Sequence, residues 1–317
     1  MTPPRTLHRR IGLPETASTG LQQAVFPRLD HLAFRDSPHG ALFRSAADAE
    51  IGHRALAGAF RRATAVWEHC GDAILGEMLG PRAAWRVDGR DLLVSEERVG
   101  RTGSRPELLA AHLRALRSRA EAWGFERLAV ICVVRRQDRW LASHYAQMSD
   151  RRRRPSQADF EGFVASVLDA ADGRYGFGML LDYGELRDRV AEAVGAANLL
   201  VLPYEALAAD PRGFLDRLLR ALGTPSERAE AVAQAVEGVR ANVRSRKEAW
   251  RLRPRRVSLP GAARGFALPR WATPAREGAI RLDSSTSERV LRAYEPSNRR
   301  LAAAADLDLA RHGYFSA

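Results

Sequence analysis

Lysine is almost absent from this chain. Of its 50 basic residues only Lys247 is lysine, and the other 49 are arginine. There is no GxxxxGK[ST] loop, which argues against an ordinary ATP or GTP hydrolase, since such an enzyme needs that lysine and a magnesium-binding hydroxyl beside the phosphates. A kinase built on a related phosphate cradle would lack the same residue. Arginine stays protonated, so it stabilises negative charge but is a poor proton donor. Cysteine is scarce too. Cys70 and Cys132 give no disulfide framework, and Cys132 lies inside an apolar run, as a core residue of a protein in a reducing compartment would. HExxH, paired CxxC and His/Cys clusters at ligand spacing are missing, so no protein-bound catalytic metal is expected. Ser95 and Ser143 lack the G-x-S-x-G setting of a hydrolase nucleophile. No run approaches the roughly 18 apolar residues of a membrane span. The segment MTPPRTLHRR lacks the apolar stretch of a secretory signal, and the expected location is the cytoplasm.

What the chain has in abundance is positive charge, with a formal net charge of +12 and a pI near 10.8. The excess is uneven. Between Asn242 and Arg281 eleven Lys and Arg face two Glu, and a second cluster is the run Arg151 to Arg154. Such a surface can attract a polyanionic nucleotide, an acidic glycan or an anionic membrane, or can simply solubilise the chain. No zinc-finger spacing, RNP-like aromatic motif or recognition helix accompanies the charge, so nucleic acid is not the expected partner.

A hydrophobic fraction of 45% supports a substantial core. Strand-like and helix-like segments alternate, which specifies an α/β fold with a mostly parallel sheet flanked by helices, in one domain spanning residues 1–317. Helical periodicity covers Arg54 to Leu79, with a break expected at Gly71, and then Pro106 to Trp123, Phe160 to Ala170, Tyr183 to Val194 and Arg212 to Leu222. Strands are expected at Leu92 to Val94 and Asn198 to Leu202. Residues 242–281 form the basic segment of the domain. Within it Arg251 to Pro274 holds four prolines and two glycines, and is expected to be a loop or lid rather than regular structure.

Two strand-to-helix junctions carry the functional argument. Leu128, Ala129, Val130, Ile131, Cys132, Val133 and Val134 form an unbroken apolar run, which suits a parallel strand covered on both faces. Asp138 can cap the helix that follows. Arg135 at the end of the strand and Ser143 on the helix can converge on one phosphate. The other junction leads from Arg5–Ile11 into GLPETASTGLQQAVF, residues Gly12 to Phe26. There Gly12, Pro14, Ala17 and Gly20 keep side chains small, while Thr16, Ser18 and Thr19 offer hydroxyls beside the first free amides of a helix. Two phosphate cradles on one sheet imply a nucleotide with two separated phosphate groups.

This pair of junctions resembles those of PAPS-dependent sulfotransferases, above all bacterial members that open with a strand and a loop of the form IGLPKTGTTSLQ. Further similarity runs through LLVSEE at Leu92 to Glu97, LLVLPYEALAADP at Leu199 to Pro211, FLDRLLRALG at Phe214 to Gly223, NVRSR at Asn242 to Arg246 and SNRRLAAAADLDLARHGY at Ser297 to Tyr314. The resemblance implies a P-loop-type sulfotransferase fold. It also implies that 3'-phosphoadenosine 5'-phosphosulfate (PAPS) is the sulfuryl donor, with adenosine 3',5'-bisphosphate (PAP) as product. Pro14, Glu15, Thr16, Ala17, Ser18 and Thr19 then form the loop for the 5'-phosphosulfate. Arg135 and Ser143 hold the 3'-phosphate, and Arg246 and Lys247 join the nucleotide site from the basic segment. One position departs sharply, because Glu15 stands where the family has lysine. In the family that lysine stabilises the charge that develops as sulfur leaves. A unit charge about 4 Å away interacts by roughly 4 kcal/mol at an effective dielectric of 20, so the inversion is worth several powers of ten in rate. Arg9, Arg10, Arg136 and Lys247 are the candidates to replace the missing cation, although each taken singly reads as a solvated surface charge.

The acceptor is expected to be a hydroxyl of a carbohydrate, an acidic glycan among them, or of a small molecule. A general base would take its proton. The LLVSEE match puts the family glutamate at Glu97, with Glu96 adjacent and His39 in the SPHG turn as further candidates. A degenerate relative that binds PAP or PAPS without efficient transfer, as a sensor or scaffold, is the alternative, and a basic adaptor for anionic polymers a third reading.

Overall fold

The computed structural model describes residues 5–11, 16, 18–36, 55–84, 89–169, 177–236, 245–246, 249–253, 256–257, 266–267 and 278–316. Five strands form the main sheet: β1 (Thr6–Arg10), β2 (Leu32–Asp36), β3 (Asp91–Ser95), β4 (Arg127–Val134) and β5 (Leu199–Pro203), in the order β2-β3-β1-β4-β5. Every pairing is parallel. The α/β fold with a parallel sheet flanked by helices is therefore as the sequence predicts.

The apolar run of β4 shows how the sheet is covered. Leu128, Val130, Cys132 and Val134 point into one core, and Ile131 and Val133 into the other. The first core is the larger. It takes in α1 (Val66–Leu79), α2 (Pro106–Ala122), α3 (Gln137–Met148), α4 (Gln157–Leu168) and α5 (Tyr183–Val194). The second face packs against residues 21–29, α6 (Pro211–Ala221) and α7 (Ser226–Ala235). The last long helix, α8 (Ser284–Ala305), adds Val290, Tyr294 and Leu301 to the larger core. With both faces covered, a polar side chain on a strand is costly unless it is paired inside.

Three local expectations are corrected. The helix between residues 54 and 79 does not break at Gly71: α1 runs through it, and the interruption falls at residues 60–65. Gly71 serves packing instead, since a Cβ there would lie 3.1 Å from Cγ and Cδ of Arg119, whose stem crosses the helix at this point. The interruption is held by His112, which accepts a bond from Trp67 Nε1 at 2.9 Å and donates to Arg62 O at 3.0 Å. Secondly, the proline-rich segment is not wholly irregular, because Ala249–Arg251 pairs antiparallel with Ala279–Arg281, and Arg256–Val257 with Phe266–Ala267. Thirdly, Asp138 does not cap α3. It lies in the first turn and takes the guanidinium of Arg136 at 2.7 Å and the hydroxyl of Ser287 at 2.6 Å.

Candidate functional site

The strand order decides where a ligand can sit. From β1 the chain crosses over β3 to reach β2, whereas from β4 it passes to β5 on the opposite side. Neighbouring strands β1 and β4 thus send their connections in opposite directions, which opens a crevice at their carboxyl ends. Both predicted junctions start at this crevice. Arg10 is in register with Ile131, and Ile11 N–H bonds Ile131 O at 2.9 Å. Arg135 follows four residues further along β4, about 13 Å at the usual rise of a strand, which is the length scale of a nucleotide rather than of a single ion.

The second junction is fully described. Only Arg135 and Arg136 separate β4 from α3. The half-buried Arg135 guanidinium lies over the ring of Tyr204, 4.7 Å from its centroid, which fixes the plane of the fork. Ser143 is buried two turns into α3. A planar guanidinium and a hydroxyl are a donor set suited to a phosphate, so the residues present fit the group the resemblance implies.

A shell of polar bonds holds this turn. Tyr183 donates its hydroxyl to Arg135 O at 2.7 Å, and Arg136 N donates to Glu205 Oε1 at 3.1 Å. The other carboxylate oxygen of Glu205 accepts the Tyr314 hydroxyl at 2.7 Å. Gln137 Nε2 donates to Asn298 Oδ1 at 2.7 Å, and Asn298 Nδ2 returns a bond to Gln137 Oε1 at 3.2 Å and gives another to Tyr314 O at 3.1 Å. Gln137, Asn298 and Tyr314 are all inaccessible to solvent. Burial, followed by the charge of Glu205, pushes the Tyr314 hydroxyl well above its ordinary range, so it remains a donor. Sequence reasoning assigned no role to Tyr204, Glu205, Asn298 or Tyr314. A signal was there, because all four lie in the PYEALAADP and SNRRLAAAADLDLARHGY segments, and PYE immediately follows a strand at the ligand-binding edge.

The first junction is described in part. Pro14, Glu15 and Ala17 lie outside the described residues, as do His39, Lys247 and the side chains of Ser18, Glu97 and Arg246. Thr16 is buried and Thr19 half-buried. The helix that follows is short and composite: Ser18–Gly20 is α-helical, Leu21–Val25 forms a π turn, and Phe26–Arg28 a 3-10 turn that contains Pro27. Gln22 Nε2 donates to Ser95 Oγ at the end of β3 at 2.9 Å.

Arg9 and Arg10 are not surface charges. Both are buried, because β1 is the central strand, flanked by β3 and β4 and covered on both faces. Arg9 donates to Val94 O at 3.3 Å and Glu96 O at 3.4 Å. Burial, helped by Arg10 and opposed by Glu96, lowers Arg9 to about 10, which leaves it charged at neutral pH. Arg10 donates to Thr16 O at 3.2 Å and, at a longer 3.4 Å, to Thr16 Oγ1 and Ser95 Oγ. Glu96 is itself buried beside Arg9, whereas Glu97 opens the short helix Glu97–Gly100. Arg136, the third candidate cation, is taken by Asp138.

No family model and no curated protein matches the chain. Among solved structures, a sulfotransferase from Alicyclobacillus acidocaldarius aligns with 97% of this chain and 98% of its own, at 12% identity and a TM-score of 0.53. The fold is a sulfotransferase fold. The sulfotransferase domain of the Synechococcus PCC 7002 olefin synthase also matches, at 17% identity over 72% of this chain and 78% of that one, but its TM-score of 0.36 is too low to add to this. Among the described residues of this sulfotransferase fold, no three His, Cys, Asp or Glu group as metal ligands, and no helix is long and apolar enough to cross a membrane.

Proposed function

We propose that this protein is a PAPS-dependent sulfotransferase, a single catalytic domain over residues 1–317 that acts in the cytoplasm on a hydroxyl-bearing acceptor. The observation that carries the reading is the meeting of two phosphate-type junctions at the β1/β4 crevice, one of them furnished with Arg135 and Ser143. In this reading Arg135 and Ser143 bind the 3'-phosphate and set the nucleotide's register. Residues 14–19 receive the 5' end, with Arg246 and Lys247 approaching from the basic segment. The residues hold the donor in line with the acceptor, and positive charge at the crevice stabilises the negative charge that grows on the leaving phosphate. Glu97 is the general base for the acceptor hydroxyl. Glu96 is less suited, since it is buried and balances the charge of Arg9. His39 remains a candidate by sequence.

The basic surface favours an acidic glycan as acceptor over a neutral one. Glu15 favours a second reading, in which nucleotide is bound but sulfate is not efficiently transferred. Titration with PAP, run beside sulfate transfer from PAPS to a panel of neutral and acidic saccharides, separates the readings. Binding with turnover supports the enzyme, binding without turnover the sensor or scaffold, and no nucleotide binding overturns both.

A further inference from the structure

We propose that Arg10 is a positioning residue of the first loop, and that it brings to the 5' side of the nucleotide site, from the strand beneath, the positive charge that Glu15 takes out of the loop. The proposal rests on the nucleotide reading above and specifies how that site works without its lysine. A guanidinium in the central strand of a parallel sheet is costly, several kcal/mol for a buried ion even after relaxation. Its place is informative: Arg10 is the last residue of β1, at the edge where the crevice opens.

The partners of Arg10 specify what it holds. One terminal nitrogen reaches both the carbonyl and the hydroxyl of Thr16, the described residue at the heart of the loop. The other reaches Ser95 Oγ, which also accepts from Gln22 in the π turn. One planar group therefore ties the loop to β1, to the end of β3 and, through Ser95, to the turn after the loop. The neighbouring Arg9 is directed elsewhere, to the backbone of Val94 and Glu96. Of the two buried arginines, Arg10 is the one aimed at the loop. A cation held below the loop attracts an anion bound above it through low-dielectric surroundings, where charge acts strongly.

The test compares PAP, which carries both phosphates, with adenosine 3'-monophosphate, which carries only the one assigned to Arg135 and Ser143. Dissociation constants are measured by calorimetry on the full chain for the native protein, Arg10→Gln, Arg10→Lys and Arg135→Ala. Gln retains donors and bulk without charge, whereas Lys retains the charge. The expected result is that Arg10→Gln weakens PAP about tenfold while leaving 3'-monophosphate within about twofold, that Arg10→Lys restores most of the loss, and that Arg135→Ala weakens both ligands. Equal losses for the two ligands in Arg10→Gln, or unaltered PAP binding there, would overturn the role of Arg10 while leaving the nucleotide reading intact. If Arg10→Gln fails to fold, Arg10→Lys decides by the same comparison, since it keeps the charge but loses the fork that reaches both Thr16 and Ser95: a residual loss confined to PAP supports the role, and equal weakening of both ligands, or none, overturns it. A native protein that binds neither ligand overturns the nucleotide reading and the proposal together.

Discussion

The two junctions at the crevice are built on opposite principles. At the β4 junction the backbone turn is held by the Tyr183 hydroxyl and the Glu205 carboxylate, from residues far along the chain, and its cation, Arg135, lies half-buried over Tyr204. At the β1 junction the described cation is inside, in the strand itself, and bonds the loop from below. A site can thus present charge directly to a ligand, or use charge to shape and bias a loop that meets the ligand with its backbone. The first arrangement makes affinity depend on one side chain. The second makes it depend on a buried ion whose removal also disturbs the sheet.

The contrast can be broken most strongly at Glu15. Replacing it by lysine shifts the charge by two units, and transfer from PAPS is expected to rise by about two powers of ten or more, measured as initial rate at saturating acceptor. A fall in rate would mean that the carboxylate has its own work. Next is Arg135→Ala, expected to cost about 1.5 to 3 kcal/mol of nucleotide affinity for the lost charged hydrogen bonds; unaltered PAP affinity would disprove the assignment of the β4 cradle. Tyr314→Phe probes the hidden support instead of the cation itself. It should lower the stability by about 1.5 kcal/mol, because it removes a donor to the Glu205 carboxylate, and weaken PAP severalfold through the Arg136 backbone; denaturant unfolding and calorimetry would show both.

The last test concerns pH. His144 on α3 is stacked on Trp140, and burial, with Arg101 and Arg152 nearby, lowers it from 6.5 to about 4. Its folded pKa is below its unfolded one, so the unfolded chain binds more protons between these values. Stability contributed by the neutral ring is complete above pH 6.5 and declines as pH falls towards 4, by at most about 3 kcal/mol. His144→Gln should flatten that part of the stability profile, and an unchanged profile would refute the assignment.

Much of this was legible in the chain. The apolar run of β4 announced a doubly covered strand, and it placed Arg135 just beyond its end and Ser143 on the helix that follows. The crossing of connections at β1 and β4 was not legible, since strand order depends on which helices pack on which face. The buried arginines misled for a related reason: HRR at the end of a short strand looks like a solvated terminus until the strand is known to be central. Glu205, Asn298 and Tyr314 could be seen only as similar segments, because their partners lie in other parts of the sequence.

The pairing of Gln137 with Asn298 spans 161 residues. Loop closure over such a separation is slow and comes late. During synthesis, β4 and its helix can emerge and compact long before the amide that clamps them exists. The turn after β4 therefore gains its full set of bonds as one of the last events of folding, and a ribosome-bound chain that has not yet delivered Tyr314 is expected to leave the Glu205 carboxylate without its tyrosine donor.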